Sequence, residues 1–192
     1  MSDRTRYRIV IADDEGVIRL GLRTMVRALG HTVVGTARNG VEAVNLVRQL
    51  SPDLLLLDIK MPKMDGIAVA EKLSAEMPLP IVMLTAFSEQ SLVAQAAAAA
   101  VMGYLVKPVD ETKLAPMLEL AIARFAERKA AQKQAETLTA KLSARDSIER
   151  AKKILMARGL TEREAYHQLQ ATARAERKSI AAVAEDLLLE IG

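Results

Sequence analysis

Short aliphatic runs alternate with longer segments of mixed polarity through the first 122 residues, and the two kinds of run repeat at different periods. Near-continuous Val, Ile and Leu predict strands at 7–12, 32–37, 54–58, 81–85 and 103–107. Between them, apolar residues recur at three- and four-residue spacing, which predicts helices at about 16–29, 40–50, 66–76, 89–101 and from 111 onward. Gly30 suits the position that ends the first helix, and Asn39 with Glu42 three residues on suits a helix start. Strands this uniformly apolar are buried on both faces, so they belong to a parallel sheet with helices on each side.

Beyond Asp110, itself a suitable helix cap, no strand pattern returns. Pro116 falls in the first turns of the next helix, and nothing then breaks that helix before Arg158. Ala131, Ala135, Leu138 and Leu142 recur at a 4-3-4 spacing that fits a weak coiled-coil seam, or else a solvated helix that only spaces two domains. Gly159 marks a stop. Thr161 and Glu164 form a capping box for a helix through about Ala173, and Ser179 can cap a last helix from Ile180 to Leu189. Ile154, Leu155, Tyr166, Leu169, Ile180 and Val183 are the expected core of this end, with Ala182-Val183 and Leu187-Leu188 turned inward. The fold class is therefore α/β, a doubly wound, flavodoxin-like five-stranded parallel sheet, followed by a long coiled-coil helix and a small three-helix bundle. The expected divisions are 1–122, 123–142 and 143–192.

Composition narrows the chemistry. The 192 residues are 51% apolar but only 3% aromatic, so the core is aliphatic and Ala-rich. The absence of Cys excludes disulfides, thiolate metal sites and a cysteine nucleophile. The uncharged stretch from Ser91 to Val106 is shorter than the roughly 20 residues of a membrane span, and the start of the chain leads directly into a strand, so a cytoplasmic protein with no membrane attachment is expected. The net charge of +3 is unevenly distributed: residues 1–122 carry 13 basic and 14 acidic side chains, while 123–192 carry 14 and 10. The second half is the part suited to a polyanion.

Four of the predicted strands end in chemistry-bearing side chains. The first runs into Asp13-Asp14, the third ends at Asp58, the fourth at Thr85, and the last at Lys107-Pro108. Parallel sheets place ligands outside the carboxyl ends of their strands, so three acids, a hydroxyl and a lysine converge. Three clustered carboxylates repel one another unless a cation neutralises them, and Mg²⁺ prefers such oxygen ligands. Taken together these residues describe a divalent-cation and phosphoryl site.

Those same residues spell a family. Residues 5–122 resemble the receiver domain of two-component response regulators, through Asp13-Asp14, the run Asp58-Ile59-Lys60-Met61-Pro62 with Asp65-Gly66, Thr85-Ala86, Tyr104 and Lys107-Pro108. The resemblance implies that Asp58 accepts a phosphoryl group from a sensor histidine kinase. It implies that Asp14, Asp58 and the Lys60 carbonyl hold Mg²⁺, with Asp13 assisting mostly through water. It further implies a cis Lys107-Pro108 bond, a Thr85 hydroxyl that turns toward the phosphoryl group, and a Tyr104 that then rotates inward. A homodimer formed on phosphorylation is expected through the helix near 89–101, the strand 103–107 and the long helix.

The output half resembles the ANTAR domain over roughly 143–190, through the run Ser147 to Met156, Glu164-Ala165-Tyr166 and Ala182-Val183-Ala184. That family consists of RNA-binding transcription antiterminators, so hairpin RNA in a nascent transcript is the implied partner. The basic side chains here are Lys141, Arg145, Arg150, Lys152, Lys153, Arg158, Arg163, Arg174, Arg177 and Lys178, diluted by Glu149, Glu162, Glu164 and Glu176. Arg145 and Lys152 share one helix face, and Arg150 and Lys153 flank it; these four are the expected RNA contacts. Tyr166 is the aromatic candidate for stacking on a loop base, although its apolar neighbours favour the core. Two alternatives remain open from the residues: a DNA-binding output, disfavoured because no polar recognition helix follows a tight turn, and an adaptor working through protein contacts. An enzymatic output is not expected, since 123–192 contains one His and no catalytic cluster.

Overall fold

The computed structural model describes residues 6–86 and 101–189. Five strands, β1 (Arg8–Ala12), β2 (Thr32–Ala37), β3 (Leu54–Asp58), β4 (Ile81–Thr85) and β5 (Val101–Val106), form one sheet in the order β2-β1-β3-β4-β5. Every neighbouring pair is parallel. The helices are α1 (Gly16–Ala28), α2 (Gly40–Leu50), α3 (Gly66–Glu76), α4 (Glu111–Ala157), α5 (Glu162–Glu176) and α6 (Ile180–Leu189).

The apolar runs of β1, β3 and β4 are buried on both faces, the edge strands β2 and β5 only in part, and the twofold alternation of a strand sorts the buried side chains into two cores. Val10, Leu55, Leu57 and Met83 join Val44, Val47, Val69 and Leu73 of α2 and α3. Ile9, Ile11, Leu54, Leu56, Val82 and Leu84 join Leu22 and Val26 of α1 and Leu114 and Leu118 of α4 on the other face. From β1 the chain first steps outward to β2, then returns across β1 to β3. That reversal places the topological switch at the carboxyl ends of β1 and β3, where Asp13 and Asp58 emerge.

The helix boundaries follow local chemistry. Asn39 Oδ1 accepts from Glu42 N at 3.0 Å, Asp65 Oδ1 from Ala68 N at 2.8 Å, and Asp110 Oδ1 from Lys113 N at 3.0 Å. Gly30 and Gly159 both adopt positive φ, at 87° and 99°, just past α1 and α4. Two expectations shift. The last strand opens at Val101, two residues early, because Val101 pairs with Ile81 across an irregularity in register. Position 101 thus belongs to a strand, and the rest of the helix expected at 89–101 lies outside the described residues.

The chain divides into two compact units, 1–128 and 129–192, and α4 runs through the division. In the second unit Ala151, Leu155, Ala165, Leu169, Ala173, Val183 and Ala184 make the core, with Ile148, Leu160, Ile180 and Leu187 packed against it. Thr161 and Glu164 cap each other reciprocally, Thr161 N donating to Glu164 Oε2 at 2.8 Å and Glu164 N to Thr161 Oγ1 at 3.3 Å. Helix α5 runs three residues beyond the expected end, closed by Arg177 at a positive φ of 55°. Ser179 Oγ accepts from Ala182 N at 3.1 Å and starts α6. The core differs from expectation at Tyr166, which is 39% exposed. Ala165, Leu169 and Ala173 already complete the buried stripe of α5, and Tyr166 stands one helical step off it. Ile154 is only half-buried, and on α6 the inward pair is Val183-Ala184 rather than Ala182-Val183.

Candidate functional site

Asp58 closes β3 and is almost fully buried, as is Asp13 immediately after β1, while Asp14 is exposed. One ligand oxygen from each of the three lies within 4.8 Å of the others. Lys107, leaving β5 with its amide donating to the Thr85 carbonyl at 2.8 Å, spans two of them: its Nζ is 2.6 Å from Asp58 Oδ1 and 2.8 Å from Asp13 Oδ2. The Lys107–Pro108 peptide is cis. Thr85 is buried at the end of β4, and its hydroxyl donates to the Ala86 carbonyl at 3.0 Å. Lys60 lies two residues past Asp58 with its side chain exposed. Tyr104 sits on β5 with 49% of its surface exposed, over a hollow lined by Thr112, Pro116 and Met117.

Two residues that the motif alone did not explain hold this geometry. Gly66 N donates to the Ile59 carbonyl at 2.8 Å, and a Cβ on Gly66 would collide with the Asp58 carbonyl oxygen. Only glycine lets α3 begin this close to the end of β3. Arg19, one turn into α1, donates from its guanidinium to the carbonyls of Asp13 at 2.6 Å and Asp14 at 2.9 Å, fixing the turn that presents both acids. Its spacing of five and six residues from those acids was the only signal in the sequence.

Burial pushes the Asp58 carboxyl up to about 6; the hydrogen bond and charge of Lys107 pull against this, and the charges of Asp13 and Asp14 add to it. Burial acts to lower Lys107, yet its hydrogen bonds to Asp13 and Asp58 outweigh that and hold it above its ordinary value. Three carboxylates against one ammonium leave excess negative charge. Asp13 Oδ2 is buried, with the Lys107 ammonium 2.8 Å away. Hard oxygen donors alone, in this number and charge, fit Mg²⁺ rather than a metal that needs nitrogen or sulfur.

In the second unit the expected contacts separate. Arg145, Arg150 and Lys153 are exposed on α4. Lys152 is not available: its ammonium lies 3.1 Å from Glu149 Oε1 and 2.6 Å from Glu162 Oε1, and the residue is buried against the start of α5. Those two acids hold Lys152 above its ordinary value, Glu162 contributing most. Its place on the Arg145 face is real in spacing but turned toward α5, so it ties helices together.

Residues 9–119 match the response regulator receiver domain, and residues 136–188 match the ANTAR domain. The chain belongs to the response regulators that join these two domains. The transcriptional regulatory protein PdtaR of Mycobacterium tuberculosis is 42% identical over 186 residues, covering 96% of this chain and 91% of the relative. Among solved structures, this response regulator resembles the signal receiver domain of a modulated diguanylate cyclase from Desulfovibrio desulfuricans G20, with TM-score 0.60 and 31% identity, over 65% of this chain and 99% of that one. It also resembles the receiver domain of AraT, a response regulator from Geobacillus stearothermophilus, with TM-score 0.55 and 31% identity, over 68% and 99%. Among the described residues no helix is long and apolar enough to cross a membrane.

Proposed function

We propose that this response regulator is an antiterminator switched by phosphorylation: Asp58 accepts a phosphoryl group from a histidine kinase, and the C-terminal unit binds hairpin RNA in nascent transcripts. The observation that carries the first half is Lys107 held between Asp58 and Asp13, at the ends of three strands. The match to the ANTAR domain and the net positive charge of residues 123–192 support the second half. We assign 1–122 to phosphoryl acceptance, 123–142 to coupling and 143–192 to RNA.

A carboxylate oxygen of Asp58 attacks the phosphorus of the kinase's phosphohistidine in line, and the imidazole leaves as the acyl phosphate forms. Positioning and charge neutralisation are the chain's contribution. Lys107 already touches the attacking carboxylate, so its ammonium follows the new phosphoryl oxygens with little rearrangement. Mg²⁺, held by Asp13, Asp14, Asp58 and the Lys60 carbonyl, would supply positive charge to the same oxygens. Thr85 exchanges the Ala86 carbonyl for a phosphoryl oxygen, and the exposed Tyr104 ring then turns inward. Val17 and Leu20, exposed on the first turns of α1 next to Asp14, offer apolar surface to the docking kinase.

Dimerisation links the halves. Tyr104 and β5 lie on the switching face of the first unit, and Ala131, Ala135, Leu138 and Leu142 lie exposed along α4 in the second, each a contact for a second copy. Ala knobs bury little area, so the unphosphorylated seam is weak and a few kcal/mol shift it. Incubation with acetyl phosphate and Mg²⁺ is expected to add one phosphoryl mass to the native chain and none to Asp58→Asn, with sedimentation moving from monomer toward dimer only in the native protein. In a mobility shift, the phosphorylated protein is expected to retard hairpin RNA in preference to duplex DNA. Phosphoryl uptake by Asp58→Asn would place the acceptor elsewhere; equal retardation of duplex DNA would favour a DNA-binding output.

A further inference from the structure

Helix α5 carries a feature that the RNA-binding proposal does not by itself specify. Arg163, Tyr166, Gln170 and Arg174 follow one another at spacings of three, four and four residues, so they line one flank of α5, and Arg177 continues it at the helix end. The flank lies roughly a quarter-turn from the buried Ala165-Leu169-Ala173 stripe. Arg163, Tyr166, Arg174 and Arg177 are exposed, with His167 beside them.

The acids of α5 are engaged elsewhere. Glu162 is held by Lys152 at 2.6 Å, Glu164 closes the capping box, and Glu176 pairs with Lys178 at 3.0 Å. Among the described residues the three arginines form no ion pair. On α4, Glu149 is likewise held by Lys152, and Asp146 sits among the exposed Arg145, Arg150 and Lys153. Charge alone does not separate the two helices; α5 differs in holding an exposed aromatic ring, Tyr166, between its arginines, where residues 143–157 of α4 have no aromatic.

We infer that this flank of α5 is the RNA-reading surface, with Arg163 and Arg174 on backbone phosphates and the Tyr166 ring stacked on an unpaired loop base between them. The inference rests on the RNA-binding proposal and locates its site. From Arg163 to Arg174 the helix rises about 17 Å, enough to track several nucleotides of one strand. Guanidinium groups clasp phosphate oxygens with two parallel hydrogen bonds. An exposed ring between them selects single-stranded loops, whose bases are free to stack, over paired stems, whose bases are not.

Fluorescence anisotropy tests this with full-length protein, treated with beryllofluoride and Mg²⁺, and three labelled probes: a hairpin RNA pool with a fixed stem and randomised loop, a fully paired RNA of the same stem, and duplex DNA of that sequence. Arg163→Gln/Arg174→Gln is expected to weaken hairpin binding at least about tenfold and to reduce the salt slope by about 1.5, as two lost phosphate contacts require. Tyr166→Ala is expected to cost about tenfold on the hairpin pool alone, with the salt slope and circular dichroism unchanged, and Tyr166→Phe to restore native binding. Arg150→Gln/Lys153→Gln is the comparison on α4, with a change under about threefold expected. Native-like binding by both α5 variants, with the loss falling on the α4 variant, would overturn the assignment and leave RNA binding standing. Native protein that binds none of the RNA probes, or prefers the duplex DNA, would sink the RNA reading together with this surface.

Discussion

Each unit of this chain encloses a lysine between two carboxylates, Lys107 in the first and Lys152 in the second, and the two do opposite things. Lys107 and Lys152 are similarly enclosed, with side chains 18% and 11% exposed. Their partners are not alike. Asp13 and Asp58 are 0% and 6% exposed, whereas Glu149 and Glu162 are 51% and 68% exposed. In the first pair little water reaches the acids, and a third, Asp14, adds to the negative charge, so burial and repulsion push Asp58 up to about 6. In the second pair solvent screens the excess charge, and Lys152 simply lowers Glu162. A lysine among poorly hydrated acids leaves charge for a ligand to neutralise; a lysine among hydrated acids fastens one helix to another.

Substituting each lysine by methionine breaks this comparison most directly. Lys107→Met is expected to slow phosphoryl uptake from acetyl phosphate on the order of 100-fold, since it removes the ammonium that meets the developing charge. Lys152→Met is expected to leave phosphoryl uptake at the native rate and the salt slope of RNA binding unaltered, because its ammonium faces Glu149 and Glu162. This replaces the RNA-contact role that helical spacing gave it. A slope flattened by about one in Lys152→Met would restore that role.

Gly66→Ala probes the wall of the first site without touching its charges. The added methyl meets the Asp58 carbonyl oxygen, backbone that cannot step aside, so a stability loss of about 2 kcal/mol and slower phosphoryl uptake are expected together in chemical denaturation and acetyl phosphate assays. Native stability in that variant would show that α3 shifts freely and that the close approach is unimportant.

Acidification separates the units by sign in metal-free buffer. The folded value of Asp58 lies above its ordinary 3.8, so its ionisation opposes folding above about pH 6, and that opposition is relieved as pH falls from about 6 toward 3.8. Asp58→Asn removes the same charge and is expected to stabilise the first unit by about 1–2 kcal/mol at pH 7, after discounting for solvent in the pocket. Glu162 and Glu164 lie below their ordinary 4.5, so their contribution is present above pH 4.5 and is lost as pH falls through their lowered folded values. Proton NMR across pH 7 to 3 is therefore expected to show the second unit loosening first, by a smaller energy than Asp58 supplies. Loss of the first unit ahead of the second would contradict the charge balance drawn for both lysines.

The sheet was legible because its signals are local and its geometry is general. Leu54 to Leu57, bounded by Ser51-Pro52-Asp53 before and Met61-Pro62 after, reads as a short strand buried on both faces, and parallel strands gather their carboxyl ends. Asp13, Asp58, Thr85 and Lys107 could therefore be brought together from positions in the chain alone. The caps at Asn39, Asp110 and Thr161 were equally readable, since each involves residues three apart. Gly66 and Arg19 were not, because one answers to backbone that approaches from β3 and the other to carbonyls that no side-chain pattern records.

By itself the sequence determined the α/β class, the pocket of Asp13, Asp58 and Lys107, and the long helix with its capped successor. Only the tertiary structure decided which flank of each output helix faces inward. Helical periodicity states which residues share a face, but a face acquires meaning only from what packs on it. Lys152 shares the Arg145 face and is nonetheless drawn to Glu162 on α5, while Tyr166, among apolar neighbours, is left outside because Ala165, Leu169 and Ala173 fill the contact. In the central strands β1, β3 and β4, burial on both sides removed that freedom. In a small bundle with one buried stripe per helix, a single step of about 100° separates core from surface, and the partner helix makes the choice.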